Sequence, residues 1–426
     1  MHRNRHLLIL ALGALFTTVV PAETLLTTEK AVELAIKNNL SLKRTKISTD
    51  AKKRAEDRSW NALLPTLSVK AGASHANSDT LSGSNDWTPS GTASASITLS
   101  PSIAAGMEKL KLDYEGGLID LETAKRSLEL STREAFNLIL LYKATIDINR
   151  QKLLTAESQY EQTAARAKIG QVPQLDALSA QVDWETLKPT LESSIVNYES
   201  ALDDFKRMLG LALDESIVLD GDLVTEATVQ AVASAGPSGE SMEVASLRKS
   251  LEITAASKKA VRDQALLPYL SLSYSASPTY SGALEDWYDA GSFSAVVGLS
   301  LDGFVPGSST QEALDQYDDS ILSIDNQIQE ARLTSQTSIR QLKRSIEKSF
   351  ASLDVQKLNV ELAEKSYALY EEAYKKGSTD LQSLRSARDT LEGARLAVMQ
   401  EQYTLANSIL ELENELNLPF GQLERN

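Results

Sequence analysis

ALLPTLSV (residues 62–69) and ALLPYLSL (residues 265–272) are two versions of one phrase, and 203 residues separate them. In both, a run of helix-forming residues meets a proline, and alternating apolar and polar residues follow it. Proline cannot continue a helix, because its ring removes an N–H group and clashes with the preceding turn. Alternation of period two is typical of a strand with two different faces. Each phrase therefore predicts a corner at which a helix ends, at Pro65 or Pro268, and a strand begins.

Four segments of the chain alternate in this way, and they predict two β-hairpins, at about 65–101 and about 268–302. Apolar side chains fall on one face of each segment, and Ser and Thr crowd the other face. Runs of about ten residues can cross a bilayer as tilted strands, and a Ser/Thr face suits the lumen of a barrel. A soluble sandwich with one wet face is the alternative. The apolar face of the fourth strand is predicted to be Phe293, Ala295, Val297, Leu299 and Leu301.

Aromatic residues lie near the tips of both predicted hairpins. Trp87 occupies one tip, and Trp287 and Tyr288 occupy the other. Amphipathic aromatic rings collect where a membrane meets water, so we expect these three side chains to form part of an interfacial aromatic belt. A buried anchor beneath the loop is the alternative.

The stretches between the hairpins predict very long helices. From about Gly106 to Ile169, and again from Gln311 to Lys375, the chain contains no proline. Sixty-five helical residues span roughly 100 Å. Across residues 321–353 the apolar side chains recur in steps of three or four. Such a narrow stripe indicates a seam that packs against neighbouring helices rather than the face of a globular core.

The chain is an internal duplication. Trp87 and Trp287 lie 200 residues apart, and Gly170 and Gly377 lie 207 apart. Units of this length do not suit a soluble repeat stack, whose repeats are far shorter. Each predicted repeat contains a helix, a hairpin, a long helix, a turn and a helix. The predicted boundaries are 23–220 for the first repeat, with its turn at 170–175, and 221–426 for the second repeat, with its turn at 377–381.

Residues 1–22 have the pattern of a signal peptide. A basic start (MHRNRH) precedes 14 largely apolar residues and a small-residue cleavage site after Ala22. A membrane anchor is the alternative, but this run is short for a bilayer-spanning helix. Removing Arg3 and Arg5 with the peptide leaves 41 basic residues against 58 acidic ones, a net charge of −17. Such an acidic chain is not expected to bind nucleic acid.

The residues that most enzymes rely on are scarce. The chain has no cysteine, and His75 is the only histidine outside the signal peptide. Zinc sites usually need two or three histidines or several cysteines. A Ser-His-Asp triad could use only His75, and a lone histidine in a small-residue segment beside a turn is more often a solvated or interfacial side chain than a base. Adjacent carboxylates such as Asp203 and Asp204 point away from each other on a helix, which is typical of a wet acidic face. We therefore predict a protein without catalytic residues, metal or cofactor.

The order and duplication of several phrases resemble those of the TolC-like outer membrane efflux protein family. The phrases are AVELAIKNN (31–39), the two ALLP corners, and the G-x₄-L-x₂-L-x-A turn after Gly170 with its near match after Gly377. The resemblance implies a mainly α fold with a transmembrane β-barrel part. Three protomers would each give four strands to one shared 12-stranded barrel in the outer membrane, continuous with a long periplasmic α-helical tunnel.

The function that the resemblance implies is passage rather than chemistry. The homotrimer would be the exit duct of a tripartite efflux or type I secretion system. A periplasmic adaptor and an inner-membrane pump would be its partners, and outer membrane lipid its surroundings. Two alternatives stay open: a TolC-shaped or porin-like passive uptake channel, and a soluble periplasmic coiled-coil scaffold.

The resemblance also places a periplasmic gate and a docking surface at the two turns. Aspartates often narrow the pore in this family, but the matching position here is Ser383 or Gln382, so no acidic ring is predicted. We expect instead that Asp380, Arg385 and Arg388 form inter-helix links that hold the tip shut, the alternative being an ordinary solvated helix end. The candidate adaptor-docking residues are Gly170, Leu175, Asp176, Leu178, Gly377, Leu381 and Leu384. The two glycines among them are expected to be left-handed residues that end their helices.

Overall fold

The computed structural model describes residues 24–75, 87–223, 227–281 and 286–424. The predicted signal peptide at residues 1–22 lies outside these ranges. No helix within them is both long enough and apolar enough to cross a membrane.

Helices make up most of the described chain, and their lengths match between the two halves. The longest, α3 and α7, each contain 67 residues, and the helices that follow them, α4 and α8, contain 36 and 35. At 1.5 Å per residue, α3 and α7 are roughly 100 Å long, as the sequence predicts. The helices are α1 (Thr28–Asn38), α2 (Leu40–Asp57), α3 (Ser102–Lys168), α4 (Gln174–Leu209), α5 (Val229–Ser234), α6 (Met242–Leu266), α7 (Ser309–Lys375) and α8 (Leu381–Glu415).

The strands form one large antiparallel sheet and one small parallel pair. They are β1 (Thr24–Leu26), β2 (Thr66–Ser74), β3 (Thr88–Leu99), β4 (Ile217–Leu219), β5 (Tyr269–Ala276), β6 (Pro278–Ser281), β7 (Asp286–Asp289) and β8 (Ser292–Gly298). The large sheet is built on the order β2–β3–β5–β8, and the short β6–β7 hairpin extends it beyond β5 and β8.

The predicted corner at Pro268 is confirmed, and the one at Pro65 is only partly right. Helix α6 ends at Leu266, and β5 begins at Tyr269. In the first half, however, α2 already ends at Asp57, and a 3₁₀ segment (Ser59–Leu63) leads to the proline. Ser, Trp and Asn are weak helix formers, and bonds to the third residue back tighten this stretch.

The fourth strand is shorter than predicted. It ends at Gly298, so Leu299 and Leu301 lie outside it, and Leu301 instead precedes a 3₁₀ turn (Asp302–Phe304). The second hairpin is also interrupted between β5–β8 and β6–β7. There the Asp289 carboxylate accepts the backbone N–H groups of Ser277, at 2.7 Å, and Gly291, at 2.8 Å. These N–H groups are satisfied by a side chain where the strand ladder breaks.

The register of the sheet places the predicted apolar residues on one face, apart from those, such as Leu299 and Leu301, that lie outside the strands. Across the four strands, Val69 pairs with Ala93, Ala93 with Ala276, and Leu270 with Val297. The opposite face carries the hydroxyl side chains, including Ser68 and Ser94, whose oxygens lie 2.8 Å apart. In the single chain the apolar face is uncovered, since Val69 is 84% exposed and Val297 76%.

The helices nearest the sheet form a single layer whose order repeats that of the strands. Helix α2 packs on α3, α3 on α6, and α6 on α7. Since α2 leads to β2 and β8 leads to α7, the sheet and the helix layer together form one continuous ribbon. Its two edges are β2 with α2 and β8 with α7, and in the described chain β2 and β8 each pair with a neighbour on one side only.

The middle of the molecule contains two compact cores that the sequence patterns did not reveal. In the first, the parallel pair β1–β4 packs on α1, α3 and α4 around Leu26, Phe136 and Phe205. In the second, α5, α7, α8 and the chain after α8 pack around Ile346 and Leu412. Gly210 is required in the first core. Its φ is 68°, and a Cβ there would lie 2.8 Å from the side chain of Asn38.

Candidate functional site at the helix tips

Four helix ends meet at the pole farthest from the sheet. Helix α3 turns back into α4, and α7 turns back into α8, and both turns pack together in one apolar cluster. The hydroxyls of Thr163 and Tyr374 lie 3.0 Å apart within it, and Arg166 donates to the backbone oxygen of Tyr374 at 3.2 Å. The cluster consists of Ala180, Tyr374, Leu381 and Leu384, flanked by Tyr160 and Tyr367.

Both turns contain the left-handed glycine that the sequence predicts. Gly170 has φ 75°, and Gly377 has φ 74°. A Cβ at either position would meet nothing within 4 Å. The requirement is therefore purely conformational, because residues with a Cβ disfavour positive φ.

Arg388 is the central charged residue of the tip. It lies on α8 with an exposed fraction of 1%, and its Nη2 donates to Asp183 Oδ2 of α4 at 2.9 Å. A second, longer contact at 3.3 Å joins the same nitrogen to Asp389. The Nε and Nη1 atoms of Arg388 are buried and have no hydrogen-bond partner in the described chain. The guanidinium is thus largely removed from water and depends on one carboxylate of the neighbouring helix.

Arg385 makes a second connection between the same two helices. It donates to the Ser179 hydroxyl at 3.1 Å and to the Ser179 backbone oxygen. Its Nε also lies 3.5 Å from Asp183 Oδ2. Asp183 therefore faces two arginines, both from α8.

Within the described chain, Asp380 caps its own helix instead of joining this inter-helix network. Asp380 is the N-cap of α8, and its carboxylate accepts from the backbone N–H of Ser383 at 2.8 Å and from the Ser383 hydroxyl at 3.1 Å. Aspartate is among the preferred N-cap residues for this reason. The same hydrogen bonds lower the pKa of Asp380, the backbone bond most. Ser383 is thereby engaged in the cap, and Gln382 is exposed beside it.

The structure separates the candidate docking residues into two groups. Leu175 and Leu178 are exposed on α4, Leu175 to 72%, and Asp176 is half-buried between them. Leu381 and Leu384 are buried in the tip cluster instead, so they are not available to a docking partner. Apolar side chains at the start of α8 fall on its packed face, which explains their burial.

Asp183 is the residue that the sequence interpretation missed. A weak signal for it existed, because α4 and α8 both begin at the tip and run in the same direction. Asp183 lies 13 residues after Gly170, and Arg388 lies 11 after Gly377, which brings them to a similar height. Opposite charges at matched distances from two turns are common by chance, however, so the pattern alone did not single them out.

A further buried carboxylate lies one turn beyond Arg388. Glu392 is buried, its Oε2 has no hydrogen-bond partner in the described chain, and Arg395 lies 3.3 Å from its Oε1. Burial raises the pKa of Glu392, and the nearby Arg395, Lys152 and Arg388 lower it by less. The tip therefore concentrates incompletely paired charge.

The predicted belt aromatics lie at the other pole, at the end of the sheet away from the helices. Trp87 is 67% exposed, and its ring centroid is 5.5 Å from that of His75. This exposure excludes a buried anchor for Trp87 in the single chain. Trp287 and Tyr288 belong to β7, where their backbones pair with Tyr280 and Thr279. All of these residues therefore lie near the end of the sheet away from the helices.

Comparison with known proteins agrees with this architecture. The profile of the family described as "Outer membrane efflux protein" matches residues 31–210. Outer membrane protein TolC of Escherichia coli K12 is 22% identical over 418 residues, which cover 94% of this chain and 83% of that protein.

Solved channel structures share the fold at low sequence identity. The CmeC outer membrane channel of Campylobacter jejuni superposes with a TM-score of 0.75 at 17% identity, covering 91% of this chain and 85% of that one. The outer membrane protein VceC of Vibrio cholerae gives 0.72 at 14% identity, covering 92% and 96%. The predicted fold class is thereby confirmed. Together with the duplicated corners and the family profile over residues 31–210, these likenesses show that the chain has the fold of the TolC-like outer membrane channels.

Proposed function

We propose that this chain forms the exit duct of a tripartite efflux or type I secretion system, as a homotrimer in the outer membrane with its helices in the periplasm. The observation that carries the proposal is the open ribbon. A sheet edge with free N–H and C=O groups cannot face lipid, so spanning sheets must close into barrels. Four strands are too few for a barrel, whereas three copies supply twelve.

The two faces of the sheet suit such a barrel. Its apolar face would contact lipid, and its Ser/Thr face would line a hydrated passage. The exposed apolar strand residues in the single chain then need no other partner. Among the described residues no cluster of side chains could hold a metal ion, and we propose that the work of the sheet is passage.

The helices, like the strands, support closure of a ring through contacts with further copies of the chain. Among the described residues, large exposed apolar side chains are most numerous on α4 and α7, α2 and α3 carry two each, and α6 and α8 have none. In the half nearer the tip, α4 packs on α3, α3 on α8 and α8 on α7, so α4 and α7 are the edges there. Edge helices need partners from another copy. The large exposed apolar residues on α4 and α7 in the half nearer the tip are Leu175, Leu178, Val182, Val196, Val355, Leu358, Leu362, Leu369 and Tyr370.

The tip network is our proposed gate. Arg385 and Arg388 tie α8 to α4 through Asp183 and Ser179. Moving α8 away from α4, as a widening of the tip would require, must break these contacts. The exposed Leu175 and Leu178 are the proposed contact of a periplasmic adaptor, whose docking would favour the separated arrangement. An inner-membrane pump would supply the energy of transport.

The proposal is tested by purifying the chain in detergent and inserting it into planar lipid bilayers. We expect a trimer with a small resting conductance that rises when Arg385 and Arg388 are both replaced by Ser. A water-soluble monomer without conductance would refute the duct. An active channel whose conductance is unchanged in the double variant would refute only the gate.

The adaptor contact needs a separate experiment. A photo-crosslinking residue at Leu175 should capture the adaptor in cells, whereas the same residue at buried Leu384 should not. Capture at neither position, in cells whose efflux depends on the chain, would contradict docking at this turn.

A further inference from the structure

The two open edges of the helix layer carry opposite charge. Residues 40–58, which span α2, contain seven basic and three acidic side chains. Residues 309–330, the part of α7 nearest the sheet, contain six acidic side chains and no basic one. Both segments lie beside the sheet, at the two ends of one layer. In a chain with an excess of acidic residues, this basic edge is a local exception.

The outward face of α2 concentrates its arginines. Its inward face packs on α3 through Leu42 and Thr49, and the Thr49 hydroxyl donates to the Gly117 backbone oxygen at 2.9 Å. The opposite stripe follows steps of three and four, and every member is exposed. We call it the arginine stripe: Leu40, Arg44, Ile47, Ala51, Arg54 and Arg58.

The outward face of α7 has the complementary character. Its inward face packs on α6 through Leu314 and Ile328. The opposite stripe again follows steps of three and four and is exposed throughout, with two aspartates at its end near the sheet. We call it the aspartate stripe: Asp315, Asp319, Leu322, Asn326, Gln329 and Leu333.

These charges have no partners within the described chain, although many of their neighbours do. Lys52 of α2 pairs with Asp120 of α3 at 3.2 Å, and Lys259 of α6 pairs with Glu108 of α3 at 3.0 Å. None of the ion pairs of the described residues includes an arginine of the arginine stripe or an aspartate of the aspartate stripe. The inner seams of the layer are thus charge-paired, and its two edges are left with opposite unpaired charges.

We propose that the arginine stripe of one copy docks on the aspartate stripe of the next, so that charge complementarity selects this edge-to-edge contact and makes closure of the upper helix layer sensitive to salt. The inference rests on the proposed trimer and names the side chains that direct its assembly. Two like edges, α2 on α2 or α7 on α7, would repel each other, which leaves the head-to-tail contact that closes a ring. Leu40, Ile47 and Leu322 supply apolar surface within the same stripes.

Charge reversal on the two stripes tests this inference. The chain is unfolded, refolded into lipid-free detergent at 0.15 M salt, and its trimer fraction is measured by analytical ultracentrifugation. Arg54→Glu with Arg58→Glu, the two arginines nearest the sheet, should raise the subunit concentration needed for half-assembly about tenfold, since exposed pairs of modest strength become repulsive. Raising the salt to 1 M, where the screening length falls to about 3 Å, should shrink that difference.

A matched control lies on the same helix. Lys46 and Lys53 are exposed but point about a quarter-turn or more away from the arginine stripe, and their double change to Glu alters net charge equally. We expect this control to assemble like the native chain. Adding Asp315→Arg and Asp319→Arg to the arginine double variant makes the edges complementary again with reversed sign, and assembly should be restored.

The outcomes separate this inference from the proposed function. A native chain that never forms a trimer would refute the proposed function itself. A native trimer with equal assembly of the arginine and lysine double variants would overturn only the edge pairing. Failure of the four-residue swap to restore assembly would also overturn it, provided that helical circular dichroism shows the swap to be folded. If the arginine stripe served instead to bind lipid phosphate, the arginine double variant would assemble normally in lipid-free detergent. That result would also overturn the edge pairing.

Discussion

Removing the Asp183 carboxylate should loosen the tip by an amount that can be worked out from its contacts. Asp183 accepts from Arg388, which is 1% exposed, at 2.9 Å, and lies 3.5 Å from Arg385. Breaking a buried ion pair by removing one partner costs about 3–5 kcal/mol, because the other charge stays buried and uncompensated. Asp183 is itself partly exposed, and Asp389 remains 3.3 Å from Arg388. We therefore expect Asp183→Ala to cost about 2–3 kcal/mol.

Local opening of the tip is the quantity to measure. Since about 1.4 kcal/mol corresponds to a factor of ten, the expected loss makes the opening of α8 from α4 about 30- to 150-fold more favourable. Amide hydrogen exchange reports such sub-global opening directly. The protection of backbone amides in residues 381–391 should fall by that factor, while amides in the central cores keep their protection.

A control on the same helix isolates the effect of burial. Glu185 pairs with Lys188 at 2.8 Å, and both side chains are more than two-fifths exposed. Exposed pairs of this kind contribute about 0.3–0.5 kcal/mol, so Glu185→Ala should change protection by less than about threefold. If Asp183→Ala also stayed within threefold, or if both variants lost protection equally, the buried pair would not be what holds the tip.

Three further predictions concern other parts of the molecule. Burial raises the pKa of Glu392, so ionising its carboxyl group disfavours the folded state. Glu392→Gln should therefore raise the free energy of unfolding at pH 7, and this gain should vanish as the pH falls below the ordinary glutamate range. Urea unfolding of both proteins at several pH values measures the difference. Gly377→Ala should destabilise the fold by about 1–2 kcal/mol because φ is positive there, whereas Gly393→Ala, inside α8 with nothing within 4 Å of a Cβ, should stabilise it by up to about 1 kcal/mol in the same assay. Val297→Arg, on the apolar strand face, should cost on the order of 2 kcal/mol of membrane-inserted stability, and Val296→Arg on the opposite face much less, as measured by the yield of heat-modifiable trimer; equal yields would contradict the assignment of faces.

The sequence predicted those parts of the fold that depend on local periodicity. The strand faces were predictable because alternation fixes which residues share a face, and the long helices because nothing interrupts their seams. The turns were predictable at Gly170 and Gly377, since left-handed residues favour glycine.

What could not be predicted depends on contacts between distant segments. Strand β1 contains three residues, and it is a strand only because β4, almost 200 residues later, pairs with it. The 3₁₀ segment before Pro65 and the interruption at Asp289 are likewise local responses to the tertiary structure. At the tip, sequence reasoning found the two arginines but not Asp183, because nothing local marks a carboxylate as the partner of a residue 205 positions away.

The chemistry of the tip suits a contact that must both hold and release. A buried ion pair is an inefficient source of stability, because desolvation of both groups offsets most of their attraction. Here the offset is visible, since Arg388 Nε and Nη1 and Glu392 Oε2 are buried without partners in the described chain. When the helices separate, these groups regain hydration, so the open arrangement recovers much of what the broken pair loses. An apolar contact of the same area would have no such compensation on opening. In the proposed gate, incomplete pairing would reduce the free-energy difference between the closed and separated arrangements, which is the condition under which docking of a partner can shift the balance between them.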